Sequence, residues 1–364
     1  MNAIIKWPGG KSREIDMIKD LIPDEFDRYV EPFFGGGALY FHLNPRRAAI
    51  NDLSEPLMNF YRQVKEQTFE LKSLLYGYAE SMANLLAVCD ENGKSIRAAF
   101  DQRQADGVSN LLNELLPQIC AGMAPGLVLN QDQFVEHIKK MVMDKFERTY
   151  ANHHKMPFSD EDLLENLITG FTSGFYMYFR KVYNDLALGR IDNPGQAYTA
   201  ANFYYIREYC YGSMFRYNVK GEFNIPYGGM SYNRKDMKAK LERVFADDLV
   251  SLLGRTEIDC CDFEDFINGL DLTEEDFMFL DPPYDTEFSD YEGKAFTRLD
   301  QARLAVALKR TKAKFILVIK NTDFIHSLYE NDFTILTFDK QYTYNVRSRN
   351  ERGTEHLIIT NLPV

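Results

Sequence analysis

Phe277-Met278-Phe279-Leu280-Asp281-Pro282-Pro283-Tyr284 is the stretch on which the fold turns. Four consecutive apolar residues have the length and character of a strand buried on both faces of a parallel sheet. Two consecutive prolines continue neither a central strand nor a helix, so the chain leaves the sheet here in a rigid loop. Similar apolar runs stand at Glu257 to Cys260, Phe315 to Ile319, Phe333 to Phe338 and His356 to Thr360, and they read as further buried parallel strands. At the other end of the chain, Arg28 to Val30 and Arg47 to Ile50 are two strands separated by a helix at Ala38 to Leu43 and preceded by a short amphipathic helix at 11–21. From Leu57 to about Leu188 the composition turns helical, with amphipathic stretches at 130–149 and 161–182. The expected architecture is therefore α/β, with a doubly wound sheet made by 1–60 and 245–364 and a largely helical insertion at 61–244. Within the insertion, Pro117, Gly122, Pro125, Gly126 and His153 to Pro157 read as turns between helices.

The chain has 364 residues, 45% of them apolar and 14% aromatic, which supports one large domain or two ordinary ones. No run approaches about eighteen apolar residues and the first residues carry no basic-then-apolar pattern, so neither membrane insertion nor export is expected. Five cysteines without a C-x-x-C pair argue against a disulfide framework and for a reducing cytoplasm. His153-His154 has no third ligand nearby, and no metal is expected.

The formal net charge of −12 counts at first against a polyanionic partner, but its distribution is uneven. Residues 257–292 hold fourteen carboxylates and no Lys or Arg, leaving +2 for the rest of the chain. Residues 207–243 hold eight basic and four acidic side chains, net +4, interleaved with aromatics. Charge alone does not separate a recognition segment from a solvated helix and loop.

Two glycine loops fail familiar patterns. Pro8-Gly9-Gly10-Lys11-Ser12 ends like a phosphate loop, but Ile5 stands where that loop needs its first glycine. Gly35-Gly36-Gly37 follows a strand, but Tyr40 takes the third glycine position of the dinucleotide fingerprint. The pattern that fits is Phe33-x-Gly35-x-Gly37 with Glu31 before it and Asp52 at the end of the next strand. Glycine lets backbone approach a ligand, and an acidic residue after the second strand is placed for ribose hydroxyls; an ordinary tight turn uses the same glycines.

Asp281-Pro282-Pro283-Tyr284 suits one chemistry in particular. An amino nitrogen conjugated with a purine ring is a poor nucleophile, because its lone pair is delocalised. The Asp281 carboxylate and the Pro282 carbonyl, its direction fixed by Pro283, accept the amino hydrogens and hold the nitrogen in line with an electrophile, while Tyr284 offers a face for stacking an extruded base.

In their order, Lys6-Trp7-Pro8-Gly9-Gly10-Lys11, Glu31 to Gly37, Asn51-Asp52-Leu53, Phe215-Arg216-Tyr217-Asn218-Val219-Lys220-Gly221-Glu222-Phe223-Asn224-Ile225-Pro226-Tyr227-Gly228, Asp281 to Tyr284 and Glu355 to Asn361 resemble the Dam-type (D12 class, alpha group) N6-adenine-specific DNA methyltransferases over about 3–62 and 170–362. The resemblance implies a Rossmann-like S-adenosylmethionine-dependent sheet and a helical inserted target-recognition domain. S-adenosylmethionine would be the methyl donor, duplex DNA the substrate, and a flipped adenine the acceptor. Trp7, Gly9 and Lys11 would wrap the methionine end of the donor, Glu31, Phe33, Gly35 and Gly37 its methionine and ribose, Asp52 the ribose hydroxyls, and Asp262 and Phe263 its adenine. Asp281, Pro282, Pro283 and Tyr284 would hold the target base.

The 215–228 stretch would enter the major groove, with Arg216 reading a guanine edge. Lys220, Arg234 and Lys235 would meet phosphates, Tyr211, Tyr217 and Asn218 would stack or position, and Arg347, Arg349 and Arg352 would add phosphate contacts. Family members commonly carry Asn-Gly just before this arginine; Gly212-Ser213 stands here, which leaves the target sequence open. Residues 83–160 read as an extra helical element. A monomer, with or without a cognate restriction endonuclease, is expected. RNA or protein-amide methylation, and a DNA-binding relative without catalysis, are the rival readings.

Overall fold

The computed structural model describes residues 1–7, 15–102, 105–284, 290–291, 294–341 and 353–363. They divide into two compact units, Met1–Lys65 with Asp247–Val364, and Glu66–Ala246.

The first unit begins with α1 (Ile15–Ile18), β1 (Arg28–Glu31), α2 (Ala38–Leu43), β2 (Ala48–Asn51) and α3 (Glu55–Lys65). The second unit contributes α4 (Phe69–Glu91), α5 (Gly93–Asp101), α6 (Ala105–Ala121), α7 (Gln131–Lys155), α8 (Asp160–Ala187), α9 (Gln196–Tyr209) and α10 (Met237–Val244). The first unit then resumes with α11 (Asp247–Gly254), β3 (Thr256–Asp259), α12 (Phe263–Gly269), β4 (Asp276–Leu280), a small antiparallel pair β5 (Asp290–Tyr291) and β6 (Lys294–Ala295), α13 (Arg298–Arg310), β7 (Lys314–Lys320), α14 (Asp323–Tyr329), β8 (Thr334–Gln341) and β9 (Gly353–Thr360).

Among the described residues, seven strands form one sheet in the order β3-β2-β1-β4-β7-β9-β8. β1, β2 and β4 are buried along their whole length, because helices cover both faces of a parallel sheet. In register, Arg28 of β1 lies beside Asp276 of β4. This pair closes the amino edge: Arg28 Nε donates to Asp276 Oδ1 at 2.9 Å and a terminal nitrogen to Oδ2 at 3.2 Å, both side chains being buried.

The parallel expectation fails at the last two strands. β9 runs antiparallel to both β7 and β8. A parallel return needs a crossover of about a dozen or more residues, whereas only 342–352 separate β8 from β9, so the chain turns back and fills the place between β7 and β8.

The second unit packs its helices around aromatic rings. Tyr78 and Tyr205 stack at 4.5 Å, and Phe179 meets Tyr78 at 4.7 Å and Phe175 at 4.8 Å. Two expected turns lie inside helices instead. Pro117 sits within α6, where burial of Leu111, Leu112, Leu115, Leu116 and Ile119 overrides the proline's cost. His153 belongs to the last turn of α7; its Nδ1 accepts the Phe158 amide at 3.0 Å and its ring packs on Phe100 and Phe158.

Candidate functional site

The carboxyl ends of β1, β2 and β4, adjacent in the sheet, carry Glu31, Asp52 just past β2, and Asp281. Glu31 is 3% exposed; its Oε2 accepts the Tyr29 hydroxyl at 2.9 Å, and no cation pairs with it among the described residues. Burial pushes the Glu31 carboxyl well above the usual carboxylate range, and the charges of Asp281 and Asp52 push it further, against the Tyr29 bond. Burial also raises the Asp52 carboxyl, opposed by bonds from the Ser54 and Gly35 amides at 2.9 and 2.8 Å. A carboxylate with two backbone donors keeps lone pairs for two more, which suits a vicinal diol.

The loop between β1 and α2 is shaped by what a side chain would hit. Gly35 has φ +49°, and a Cβ there would lie 2.8 Å from Cδ1 of Trp7. Gly37 has φ +63° and a Cβ there would collide with the Phe34 ring. Asn51, buried at the end of β2, ties three loops together: its amide nitrogen donates to the carbonyls of Pro32 and Cys261, and its oxygen accepts the Cys261 amide. Asn51 was visible only as the neighbour of Asp52, and its structural part was not.

Phe33, Phe263 and Phe296 meet as a ring trio at 5.4 to 5.6 Å. Asp262 caps α12 through the Glu264 amide and is clasped by Arg303, whose terminal nitrogens reach its two oxygens at 2.6 and 3.3 Å. Phe296 and Arg303 escaped sequence reasoning, since neither sits in a motif; the Thr297-x-x-Asp300 capping box was the available sign of a helix there. Pro282 is buried, Asp281, Pro283 and Tyr284 are partly buried, and Tyr284 packs edge-on against buried His356 at 5.5 Å.

In the second unit, 209–228 double back as a hairpin, with Tyr211 N bonded to Pro226 O, Asn224 N to Arg216 O and Gly228 N to Tyr209 O. α8 holds it: the Asn184 side chain pairs with both the amide and the carbonyl of Phe223, and Tyr183 bonds Tyr217 at 3.0 Å. Arg216 is exposed and spends only Nε, on Asn224; Lys220 and Val219 are exposed at the tip, and Tyr211 is 56% exposed. Asn218 turns inward, accepting the Lys220 and Glu222 amides and donating to the Glu222 carboxylate.

The two cations after the hairpin are engaged within the unit. Arg234 makes a two-point contact with Asp90 at 2.8 Å and bonds Glu165, and Lys235 bonds the Glu208 carbonyl and covers the Tyr232 ring at 3.9 Å. Arg207, 2% exposed, was counted in the basic segment but holds the carbonyls of Ser213 and Met214, both at 2.8 Å. Gly9, Lys11, Arg347, Arg349 and Arg352 lie outside the described residues.

A doubly wound sheet of this order is a Rossmann-like methyltransferase fold. The chain belongs to the D12 class N6 adenine-specific DNA methyltransferase family, whose profile matches residues 7–93 and 111–344. It is 27% identical to the type II methyltransferase M.CviBI of Paramecium bursaria Chlorella virus NC1A, covering 99% of this chain and 100% of that protein. It is 24% identical to the type II methyltransferase M1.LlaDCHI of Lactococcus lactis subsp. cremoris, over 99% and 95%. To the DNA adenine methylase of Haemophilus influenzae it is 22% identical, over 89% and 82%. The stretch between the two matched segments is 94–110. Among the described residues no helix is long and apolar enough to cross a membrane.

Proposed function

We propose that this chain transfers the methyl group of S-adenosylmethionine to N6 of an adenine turned out of duplex DNA, with the first unit doing the chemistry and the second reading the site. The observation that carries this is Glu31, buried at the carboxyl end of β1 with the Tyr29 hydroxyl as its hydrogen-bond donor and no paired cation among the described residues, a carboxyl group of the kind a cationic donor compensates. The donor set fits: carboxylates for ammonium and hydroxyl groups, a glycine loop without Cβ atoms, and the Phe33, Phe263 and Phe296 rings for a flat base. When bound, S-adenosylmethionine supplies a methyl group already activated on a sulfonium sulfur.

Glu31 and Asp52 bind and orient the donor. Asp281 and the Pro282 carbonyl accept the two amino hydrogens of adenine and aim its nitrogen, and Tyr284 stacks on the ring. The extra amino proton leaves to solvent after transfer, so Asp281 acts as an acceptor and need not be a strong base. Arg216 reads a base edge and Lys220 meets phosphate; Arg234 and Lys235 serve the hairpin's support. The enzyme works as a cytoplasmic monomer, and a restriction endonuclease of matching specificity is the partner this reading allows.

The test is Asp281→Ala, assayed with tritiated S-adenosylmethionine on duplex DNA, RNA and protein. Turnover on duplex DNA by the wild type, its loss in the variant and retained donor binding are expected; an active variant, or transfer to RNA or protein instead, overturns the assignment. Long-read sequencing of DNA from expressing cells, scored for N6-methyladenine by context, gives the recognition sequence.

A further inference from the structure

Two side chains of α13, two residues apart, each hold a loop at the carboxyl edge of the sheet. Gln301 is fully buried, and its Nε2 donates to the Pro283 carbonyl at 2.9 Å. Two prolines deprive that loop of N–H groups, so its carbonyls depend on donors from elsewhere. A bond to Pro283 O fixes the peptide plane between Pro283 and Tyr284, and with it the point from which the Tyr284 ring departs. The reverse orientation of the amide would set two acceptors face to face. The Gln301 Oε1 is buried with no donor among the described residues. That is a cost an apolar side chain of equal length would avoid, so packing alone does not explain glutamine here.

Arg303 holds the other loop. Beyond its grip on Asp262 it bonds Glu264 at 2.7 Å and Asp300 at 2.9 Å, and its guanidinium lies over the Phe263 ring at 4.9 Å. α13 is itself anchored, by the Thr297–Asp300 capping box and by Leu304, Ala305 and Leu308 in the core with Met278, Leu280, Phe315 and Leu317.

We propose that Gln301 is a positioning residue for the target-base loop and Arg303 one for the donor's adenine end, so that α13 sets the spacing of the two reactants. The proposal rests on the methyl-transfer reading above. Misplacing a reactant by about an ångström costs up to about a hundredfold in rate without weakening binding of its partner.

The experiment compares wild type, Gln301→Met, Gln301→Glu and Arg303→Met. Turnover is measured with tritiated S-adenosylmethionine on plasmid DNA from cells lacking adenine methylation, binding by titration with S-adenosylhomocysteine, and folding by thermal melts. Gln301→Met keeps the length, drops the donor and sheds the orphaned acceptor; kcat should fall about 10- to 100-fold with the S-adenosylhomocysteine Kd unchanged. Gln301→Glu keeps the shape and, buried and neutral, offers a hydroxyl donor in place of the amide, so its kcat should stay nearer the wild type than that of Gln301→Met, giving a second reading should Gln301→Met fold poorly. Arg303→Met should raise the S-adenosylhomocysteine Kd about tenfold, the quantity Gln301→Met leaves untouched, and lower kcat/KM for the donor with it.

A Gln301→Met protein that melts like the wild type and keeps its kcat, or loses affinity in step with rate, overturns the base-loop assignment. An unchanged Kd in Arg303→Met overturns the other half. A wild-type chain inactive on DNA would instead defeat the methyl-transfer reading, so the two failures are distinct.

Discussion

Glu31→Gln should make the ligand-free protein more stable while impairing donor binding, and the gain should grow with pH. Glu31 ends a strand buried on both faces, with Asp281 and Asp52 as its charged neighbours and the Tyr29 hydroxyl as its hydrogen-bond donor. The glutamine oxygen keeps the Tyr29 bond at 2.9 Å, so the substitution removes chiefly the charge. Because burial raises the folded pKa above the unfolded value, the native state binds the proton more tightly than the unfolded chain. Stability therefore falls as pH rises from the unfolded carboxyl value, about 4.3, towards the folded one. Within that window the advantage of the variant should widen by up to about 1.4 kcal/mol per pH unit. For a domain of this size that is about 2–4 °C in Tm per kcal/mol. Thermal melts of both ligand-free proteins from pH 5 to pH 8 read it directly. Calorimetry in buffers of different ionisation enthalpy adds a second reading: wild-type Glu31 should release a proton as a cationic donor arrives. A Tm difference independent of pH, or a wild type that gains on the variant as pH rises, would refute the reasoning.

Asp276→Ala strands the buried Arg28 guanidinium, and denaturant unfolding should show a loss of about 3–5 kcal/mol; a loss below about 1 kcal/mol would mean the pair is solvated. Gly35→Ala combines a left-handed φ, worth about 1–2 kcal/mol, with a Cβ 2.8 Å from the chain's single tryptophan, so the emission of Trp7 should shift and donor affinity fall. Arg216→Ala should weaken DNA binding by about 1–3 kcal/mol and relax preference at one base pair, whereas Lys220→Ala should weaken all sequences alike and lower the salt slope by about 1, as binding titrations at several salt concentrations will show.

The inner strands were legible because β4 and β7 are short apolar runs bounded by loop residues, with Phe277 to Leu280 inside β4; the edge strands β3 and β8, read as buried, are not, since an edge strand has a neighbour on one side alone. The direction of β9 was not legible, because an apolar run says nothing of parallel or antiparallel, and the strands as read from sequence leave 339–355 between them, long enough for a crossover. Pro117 and His153 misled for the opposite reason, since local propensity was read where burial decides. The grip on ligand-facing loops has no local signature: Gln301 and Arg303 stand outside the motifs, and Asn51 stands in one only as the neighbour of Asp52. Gln301 and Pro283 are eighteen positions apart and Asn51 and Cys261 two hundred and ten, and only the folded chain brings them within bonding distance.

Charge shows most directly how sequence counts and structure part. Of the fourteen carboxylates in 257–292, Glu257 pairs with Arg47, Asp262 and Glu264 with Arg303, and Asp276 with Arg28, all partners outside the segment. The basic segment is likewise reduced, since Arg207 is buried, Arg234 is spent on Asp90 and Glu165, and Lys240 bonds the nearly buried Glu208, whose carbonyl also takes Lys235. What the hairpin itself presents is Arg216 and Lys220, so under the proposed function its electrostatic hold on a phosphate backbone would be small and its discrimination would come from how rigidly α8 presents Arg216. A hairpin fastened through Asn184 and Tyr183 of α8, and through Arg190 just beyond it, which bonds Glu222 at 2.7 Å, is the kind of support such a reading requires, because a bidentate contact to a base edge tolerates little displacement.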